Sequence, residues 1–502
     1  MKFSRKIFLF LILSITLPAF AQDAPVHVTI LHVNDVYQFL PVDRGERGGL
    51  ARLMTIRKDV AEKNPNTIFT LGGDTISPSA ESLEFKGAQM IDAWNAVGID
   101  YSVFGNHEFD FKSAELLKRI SESKFKWLGA NVWDTQTKKI FAGLPEYEVK
   151  DLGGVKVGFI GFLLPETKQT SRVDTWLEIN NVCDTAKKIV PKMRAAGINT
   201  IIALTHLSMR EDKELAGCAD FDLILGGHEH TLLQSAANGT PIFKATADAR
   251  EVGKFDLFID RKTGKVKNMD WEVIPVNSNI QDDPNFITIL CKYKDKLVEL
   301  AEKIGYTSVA IDATSLSSRT VETNMGNFVA DVYRDAVKAD TALINGGSIR
   351  ADFLFEPGPL TKRDMLSIMP FNNQIIKLKM KGKLLREVLE YAVSRSAEDK
   401  EPGQFPQVSG ITFTFDAAKP AGSRVTEILI NRQPLKGDAD YTLATSPFLY
   451  GGGDGYVMLK NAETQGDLTA APREISVFET AIKNAPNKTI APKIEGRIVR
   501  IN

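Results

Sequence analysis

The chain contains 502 residues, of which 43% are hydrophobic. That length is too great for one ordinary hydrophobic core and predicts two or more domains. The formal net charge of −1 excludes the strongly basic surface with which proteins bind nucleic acid polymers or anionic membranes. We therefore expect a soluble globular protein.

The first 21 residues differ in composition from the rest of the chain. Basic residues at positions 2, 5 and 6 precede an apolar run over 7–17, and Ala19-Phe20-Ala21 follows it. This order predicts a secretory signal over residues 1–21 that is removed from the mature protein. A membrane anchor is the disfavoured alternative, because the apolar run is shorter than the roughly 20 residues that span a bilayer. We expect a periplasmic or secreted protein without a stable membrane anchor.

Five short apolar runs in the first half of the chain end in residues of metal-binding type. They are 28–31 before Asn34-Asp35, 67–71 before Gly73-Asp74, 101–104 before Gly105-Asn106-His107-Glu108-Phe109-Asp110, 200–204 before His206, and 221–225 before Gly227-His228-Glu229-His230. Buried strands of an α/β sheet deliver such side chains to a crevice at their carboxyl ends. Four of the chain's six histidines stand at these ends, and this concentration predicts a metal site.

Helical patterns alternate with these runs. We predict helices at 50–64, 88–97, 113–121 and 184–196, the last interrupted by Pro191. Segments 155–162 and 254–274 have the pattern of a hairpin or of strands in a second sheet. The alternation predicts a layered α/β domain with two sheets between helices.

Around residues 275–284 the composition shifts to Asn, Asp, Gln and Pro, and a charged helical pattern follows over 286–304. We interpret residues 22–275 as the first domain, 276–306 as a linker with a bridging helix, and 307–502 as the second domain. The second domain has predicted strands at 341–344, 375–380, 411–415, 425–430 and 441–444, and predicted helices at 324–338 and 382–394. It is therefore also expected to be α/β.

Three cysteines, Cys183, Cys218 and Cys291, are too few for a disulfide framework. One bridge, such as Cys183 to Cys218, is compatible with an oxidising compartment. Free buried thiols are at least as compatible with the sequence, so the pattern alone does not decide between them.

The candidate ligands offer oxygen and nitrogen donors and no thiolate, which suits Mn, Zn, Fe or Co. They are Asp35, Asp74, Asn106, His206, His228 and His230. Two metal ions need a shared ligand, and Asp74, a carboxylate after a Gly-Gly turn, is the natural bridge. Two divalent ions roughly 3.5–4 Å apart can clamp both ends of a displacement at phosphorus and activate water. The donor set therefore predicts hydrolysis of phosphate esters.

In this order the five motifs resemble those of the calcineurin-like metallophosphoesterases, and in particular the secreted bacterial 5′-nucleotidase and UDP-sugar hydrolase group. The resemblance covers essentially the whole mature chain. It implies a four-layer α/β/β/α N-terminal domain and a C-terminal α/β nucleotide-binding domain of the 5′-nucleotidase type.

The resemblance also implies roles for the ligands. Asp35, Asp74 and His230 would hold one divalent metal ion, and Asp74, Asn106, His206 and His228 would hold the other. His107 would stabilise and protonate the leaving oxygen. Asp110 would orient the His107 imidazole and raise its pKa, which favours the charged form that a proton donor needs.

One position departs from the family pattern. The family usually has Asp-x-His in its first motif, whereas this chain has Asp35-Val36-Tyr37. Two interpretations stay open: Tyr37 ligates as a phenolate and favours a harder or trivalent ion, or it stands aside and leaves that metal weakly held. His230 offers partial compensation, since the nucleotidase group often has an amide there.

Positions in the second domain are similar to the family's nucleotide-binding residues. They are Arg319, Asn345, Arg350, Phe371, Phe448 and Asp454. Two arginines and an amide can hold a phosphate by charge-assisted hydrogen bonds. Two phenylalanines exposed in one cleft can stack on a base, and Asp454 can accept hydrogen bonds from ribose hydroxyls.

Together these features predict an exported, monomeric phosphatase with two divalent metal ions that hydrolyses nucleoside 5′-monophosphates, with di- and triphosphates and UDP-sugars as further candidate substrates. A 2′,3′-cyclic nucleotide phosphodiesterase/3′-nucleotidase or a sulfur-ester hydrolase shares the same metal core. Tyr37 allows a further alternative, a metal-poor protein that binds nucleotides without turnover, although His107 and Asp110 argue against it. The substrate would lie between the domains, and the linker near 275–284 would let them reorient.

Overall fold

The computed structural model describes residues 24–396 and 401–502, so the predicted signal over residues 1–21 lies outside the described residues. Two six-stranded sheets form the centre of the first domain. Its strands are β1 Val26–Val33, β2 Thr67–Leu71, β3 Tyr101–Val103, β4 Lys126–Leu128, β5 Val132–Asp134, β6 Lys139–Ile140, β7 Glu148–Leu152, β8 Val155–Leu163, β9 Leu177–Ile179, β10 Thr200–His206, β11 Leu223–Gly226, β12 Leu233–Ala237, β13 Thr240–Lys244, β14 Glu251–Ile259 and β15 Val266–Pro275.

The sheets have the strand orders β15-β14-β1-β2-β3-β4 and β12-β13-β11-β10-β8-β7. β1 to β4 are parallel to one another, and so are β8, β10, β11 and β13. Buried apolar side chains of both sheets, such as Ile30, Phe159 and Leu204, form one shared cluster. The two sheets therefore pack face to face, and the parallel strands of each bring their carboxyl ends to one edge.

Helices cover the outer faces of the two sheets. They are α1 Leu50–Lys63, α2 Ser82–Phe85, α3 Ala88–Val97, α4 Lys112–Glu122, α5 Thr167–Thr170, α6 Val182–Ala195 and α7 Met209–Cys218. Their buried residues share a second cluster with outer-face residues such as Phe69 and Ile201. The predicted α/β class and its four layers are confirmed, and α6 continues through Pro191.

The chain leaves the first domain through a hairpin and two short helices. β14 pairs with β1 and with β15, so segment 254–274 is a hairpin on the first sheet. α8 Ile287–Lys292 and α9 Lys294–Leu300 follow. The prediction of one helix over 286–304 is wrong at two places. The helix breaks at Tyr293, whose buried ring packs against Phe39 and Phe85, and the segment ends in a strand.

The second domain contains several smaller sheets, of five, four, three and two strands. Its strands are β16 Lys303–Thr307, β17 Ile311–Asp312, β18 Thr341–Asn345, β19 Leu354–Phe355, β20 Gly358–Thr361, β21 Ile376–Lys381, β22 Pro406–Ser409, β23 Ile411–Asp416, β24 Val425–Ile430, β25 Gln433–Pro434, β26 Asp440–Thr445, β27 Glu463–Gln465, β28 Thr489–Ile490 and β29 Ile498–Ile501. Its helices are α10 Ser315–Ser318, α11 Asn324–Val337, α12 Lys362–Ile368, α13 Gly382–Ala392, α14 Pro447–Tyr450 and α15 Glu474–Asn484. The main sheet, β22-β18-β26-β21-β27, positions the loops that face the first domain.

Side chains of the two domains contact each other near the linker. Arg363 of α12 lies 2.6 Å from the buried carboxylate of Glu81. A small apolar cluster of Ala80, Leu300 and Leu366 lies beside this ion pair. The described conformation therefore has its two domains in direct contact.

A disulfide joins Cys183, near the start of α6, to Cys218, the last residue of α7. The alternative of free buried thiols is therefore wrong for this pair, and Cys291 is free but exposed. Within residues 24–396 and 401–502, none of the helices has the length and apolar character needed to cross a bilayer.

Candidate metal centre

The carboxyl ends of β1, β2 and β10 bring Asp35, Asp74 and His206 together. Each offers a ligand atom, and these atoms lie within 4.8 Å of one another. Asp35 and Asp74 have positive φ values of 53° and 56°, which turn the chain sharply at the ends of their strands. Gly227 lets the loops meet, since a Cβ there would lie 2.3 Å from the backbone oxygen of Gly72.

Two buried atoms of ligand type at this place have no hydrogen-bond partner among the residues that the structure describes, namely Asn106 Oδ1 and His206 Nε2. His206 Nδ1 donates to the Gly72 carbonyl at 2.8 Å, which turns Nε2 toward the carboxylates. His206 Nε2 lies 3.3 Å from Asp74 Oδ2 without hydrogen-bond geometry. Buried polar atoms without partners are rare, and a bound cation would satisfy both. The residues present therefore fit a metal site of oxygen and nitrogen donors.

The charges of the cluster lead to the same conclusion. Burial lowers the pKa of His206, but the carboxylates of Asp74 and Asp35 outweigh it and raise this pKa to about 10. Burial raises the pKa of Asp74, yet His206 and His107 hold it well below its usual range. A buried pair of carboxylates therefore recruits a proton onto His206 where a cation would otherwise balance the charge.

His228 and His230 follow β11 and complete the predicted ligand set. The His228 backbone N–H donates to Asp35 Oδ2 at 2.9 Å, and its ring packs against the His206 ring. Burial and the nearby His206 lower the pKa of His228 well below its usual value, which keeps it in the neutral form that binds metals. His230 Nε2 lies 3.5 Å from Asp35 Oδ1.

The Tyr37 hydroxyl lies among the predicted ligands of the first metal. It is 3.1 Å from Asp74 Oδ2, 3.3 Å from Asp35 Oδ1 and 3.1 Å from His230 Nε2. Burial and then Asp74 raise the pKa of Tyr37 well above its usual value, although Arg350 opposes them. The position favours Tyr37 as a ligand, whereas the raised pKa keeps the phenol protonated in the metal-free protein.

His107 and Asp110 form the predicted pair. His107 Nδ1 donates to Asp110 Oδ2 at 2.7 Å, and His107 Nε2 lies 4.0 Å from Asp74 Oδ2. Burial lowers the pKa of His107, but Asp110 and Asp74 raise it more, so the net shift is upward. The geometry leaves Nε2 facing the cluster with Nδ1 already held.

Glu108 is a site residue whose role the sequence did not indicate. Its fully buried carboxylate accepts backbone N–H groups of Asp74 and Gly105 on one oxygen, and of Thr75 and Ile76 on the other. Burial, and next the charge of Asp74, raise the pKa of Glu108 to about 7. One side chain therefore joins the loop after β2 to the loop after β3.

Two residues of the second domain reach the metal loops. Arg350 Nη2 donates to the Tyr37 hydroxyl at 2.9 Å and lies 3.5 Å from His230 Nε2. The ring of Phe371 lies 5.9 Å from the His107 ring, centroid to centroid. Two of the predicted substrate residues therefore contact side chains of the predicted metal site across the domain boundary.

The remaining predicted substrate residues lie around the same loops of the second domain. Asn345 Nδ2 donates to Asp454 Oδ2 at 2.6 Å. The half-buried ring of Phe448 lies against Gly453, where a Cβ would come within 2.5 Å of it. Burial and then Arg350 lower the pKa of Arg319, and Nε of both arginines lacks a partner. Two neighbouring guanidinium groups with free N–H groups suit an anion.

Comparison with known proteins agrees with this geometry. Residues 28–232 match the calcineurin-like phosphoesterase family, and residues 303–461 match the 5′-nucleotidase C-terminal domain. Over 96% of its length the chain is 31% identical to the trifunctional nucleotide phosphoesterase protein YfkN of Bacillus subtilis, of which it spans 35%. It is 28% identical to the 5′-nucleotidase of Homo sapiens, over 94% of this chain and 90% of that protein. The crystal structure of a 5′-nucleotidase precursor from Thermus thermophilus superposes with a TM-score of 0.88 at 26% identity, covering 95% of this chain and 99% of that one.

Proposed function

The chain belongs to the calcineurin-like metallophosphoesterases that carry a 5′-nucleotidase C-terminal domain, and from this premise we propose that it hydrolyses nucleoside 5′-monophosphates to nucleoside and phosphate. The observation that carries the proposal is a contact across the domain boundary, where Arg350 lies against Tyr37 and Phe371 against His107. Asp35, Asp74 and His206 come from the first domain, and Arg350 and Phe371 come from the second. Nucleoside di- and triphosphates and UDP-sugars are further candidate substrates.

Two divalent metal ions from Mn, Zn, Co and Fe suit the donor set. Asp35, Asp74 and His230, with Tyr37, would hold one ion, and Asp74, Asn106, His206 and His228 would hold the other. When bound, the ions supply Lewis acidity toward the phosphoryl group and activate water.

The chain's own residues would bind the substrate and supply a proton. The guanidinium groups of Arg319 and Arg350 would hold the phosphate, and the Asn106 amide N–H would stabilise charge that develops on it. His107, held at Nδ1 by Asp110, would donate its Nε2 proton to the leaving ribose oxygen. The upward shift of the His107 pKa supports this role, because it favours the protonated imidazole.

The second domain would position the nucleoside. Phe371 and Phe448 would stack on the base, and Asp454 would accept hydrogen bonds from the ribose hydroxyls. Because the metal donors and the base site lie on different domains, we propose that the domains reorient about the linker near 275–284 during turnover. Unchanged turnover in a protein whose domains are cross-linked, either in the contacting arrangement described above or apart, would contradict this reorientation.

We further propose that the protein is exported to the periplasm or the medium and acts there as a monomer. The basic, apolar and small-residue order of residues 1–21 supports export. The Cys183–Cys218 bridge supports it independently, because disulfides persist in oxidising compartments. Cell fractionation with N-terminal sequencing tests cleavage after Ala21, and light scattering of the mature protein tests the monomer.

The deciding experiment is phosphate release from AMP by the mature protein after chelation, and again with Mn, Co, Zn, Mg or Fe added singly. We expect chelation to abolish release and one or more metals to restore it. The H107N variant should be strongly impaired, whereas H27N should match wild type, because His27 is exposed and bonds to Asp256 on the far side of the domain.

Other outcomes would select the alternatives. Preferred turnover of 3′-AMP and 2′,3′-cyclic AMP would identify a cyclic phosphodiesterase/3′-nucleotidase, and turnover of sulfur esters alone would identify a sulfur-ester hydrolase. AMP binding without turnover under every metal would refute the proposal in favour of a metal-poor nucleotide-binding protein.

A further inference from the structure

Lys244, the last residue of β13, is a fully buried lysine that the reaction does not use. Its Nζ lies 2.9 Å from Asp212 Oδ2, and it also donates to Glu229 Oε2 and to the backbone oxygen of Leu207. Burial lowers the pKa of Lys244, but Asp212 and Glu229 raise it more, so the ammonium stays charged. A charge this deeply buried is costly unless it is paired, and the Lys244 ammonium is paired with two carboxylates and a backbone carbonyl.

The partners of Lys244 belong to the two segments that carry the histidine ligands. Leu207 directly follows His206, and Glu229 stands between His228 and His230. Asp212, the third partner, accepts a 2.7 Å hydrogen bond from Thr205 Oγ1, on the other side of His206. One ammonium group therefore contacts both ligand segments at once.

The segment with His228 and His230 needs such an anchor. His228 has a φ of 82°, a conformation that residues with a side chain rarely adopt. Glu229 Oε1 accepts the backbone N–H of Met209 at 2.6 Å while its other oxygen meets Lys244. The carboxylate therefore ties this turn to both Met209 and Lys244.

We propose that Lys244 is a positioning residue of the metal centre, which acts through Glu229 and Leu207 to hold His206, His228 and His230 in their cation-binding arrangement. The inference deepens the proposed function and rests on it. Groups that support metal ligands without touching the metal typically contribute about 10–100-fold to affinity or activity. A lysine that served the core alone would contribute to folding and leave metal affinity unchanged.

The test is calorimetric titration of the chelated, metal-free mature protein with Mn²⁺, together with AMP turnover, for wild type and three variants. K244M removes the ammonium, and E229Q removes its contact with the histidine turn. K254M is the matched control, because Lys254 also lies between two carboxylates, 2.8 Å from Asp256 and 2.8 Å from Glu272, on a strand that carries no proposed ligand.

We expect K244M and E229Q to weaken Mn²⁺ binding by about 10–100-fold and to lower kcat while KM for AMP stays within about twofold. K254M should bind Mn²⁺ as wild type does. The K244M/E229Q protein should lose less affinity than the product of the two single losses, because both changes break one contact.

The outcomes separate the inference from the function on which it rests. Wild-type affinity for Mn²⁺ in both K244M and E229Q overturns the inference alone. A wild-type protein that binds no Mn²⁺ and releases no phosphate from AMP with any of the added metals overturns the proposed function and the inference together. If K244M is not recovered folded, E229Q alone tests the inference: a loss of Mn²⁺ affinity of about 10–100-fold supports it, and wild-type affinity overturns it. The Glu229 side chain is 29% exposed, so it tolerates an amide.

Discussion

Removal of the Cys183–Cys218 bridge tests how the first domain is stabilised. The cysteines are 35 residues apart in sequence, and the bridge joins α6 to α7. In the chain-entropy model, closure of a loop of that length lowers the entropy of the unfolded chain by about 13 cal/mol/K, or about 4 kcal/mol at 25 °C. Both positions are partly exposed, so serine hydroxyls at 183 and 218 would reach water and add little cost of their own.

The assay is urea unfolding followed by tryptophan fluorescence. The chain's five tryptophans all precede residue 276, so their emission reports the first domain alone. With a slope of about 2–3 kcal/mol/M for a domain of this size, C183S/C218S should unfold at a urea concentration about 1.3–2 M below wild type. Reduced wild type should match the double variant, and kcat of the folded variant should stay within about twofold, because neither cysteine contacts the metal cluster.

C291S supplies the control, because Cys291 is a free, exposed thiol whose loss should leave the midpoint unchanged. Equal midpoints and slopes for C183S/C218S and wild type, with the bridge demonstrated in wild type by thiol titration, would refute the reasoning. The bridge would then constrain a part of the unfolded chain that is already compact.

Four further predictions concern individual side chains. Asp110→Asn should lower the His107 pKa and move the alkaline limb of the kcat–pH profile to lower pH; an unmoved limb would count against the pair. Phe371→Ala should raise KM for AMP by the equivalent of about 1–3 kcal/mol of stacking and leave p-nitrophenyl phosphate hydrolysis nearly unchanged, whereas equal losses on both substrates would exclude base stacking. Burial raises the pKa of Glu474 to about 7 from 4.5. The folded state therefore binds this proton more tightly, and stability should fall by about 3 kcal/mol as pH rises from 4.5 to 7. Urea unfolding followed by circular dichroism should show that the free energy of unfolding depends less on pH in Glu474→Gln than in wild type. An identical pH dependence in the two proteins would disprove the assignment of this change to Glu474. Tyr37→Phe should weaken Mn²⁺ binding in calorimetry, because it removes the hydroxyl that lies among the proposed ligands; unchanged or tighter binding would show that the phenol stands aside.

The sequence predicted that Asp35, Asp74 and His206 lie together, as they do in the structure, because each follows directly from an apolar run. These three residues come at or just after the ends of buried strands. The sequence therefore indicated both their chemical type and their place at the edge of a sheet. Helix α3 was predicted at its observed bounds because its buried residues recur at helical spacing between Gly87 and Gly98. Strand β24 was also predicted at its observed bounds, from a short run of strand-forming residues.

The supporting residues could not be predicted in the same way. The backbone N–H groups that Glu108 accepts come partly from residues 32 to 34 positions earlier, and a glutamate beside a histidine has the same local pattern on a solvated surface. Lys244 ends an ordinary strand, and nothing near it in sequence identifies Asp212 or Glu229 as its partners. Tyr293 interrupts a helical pattern because its ring packs into the first domain, which is a tertiary effect.

The contact of Arg350 with Tyr37 and His230 joins two groups of residues that lie in separate parts of the sequence. The donors that suit a metal are encoded before residue 276, whereas the groups proposed to recognise phosphate and base are encoded after residue 307. Substitutions after residue 307 would therefore change which ester is bound while every proposed metal donor stays in place.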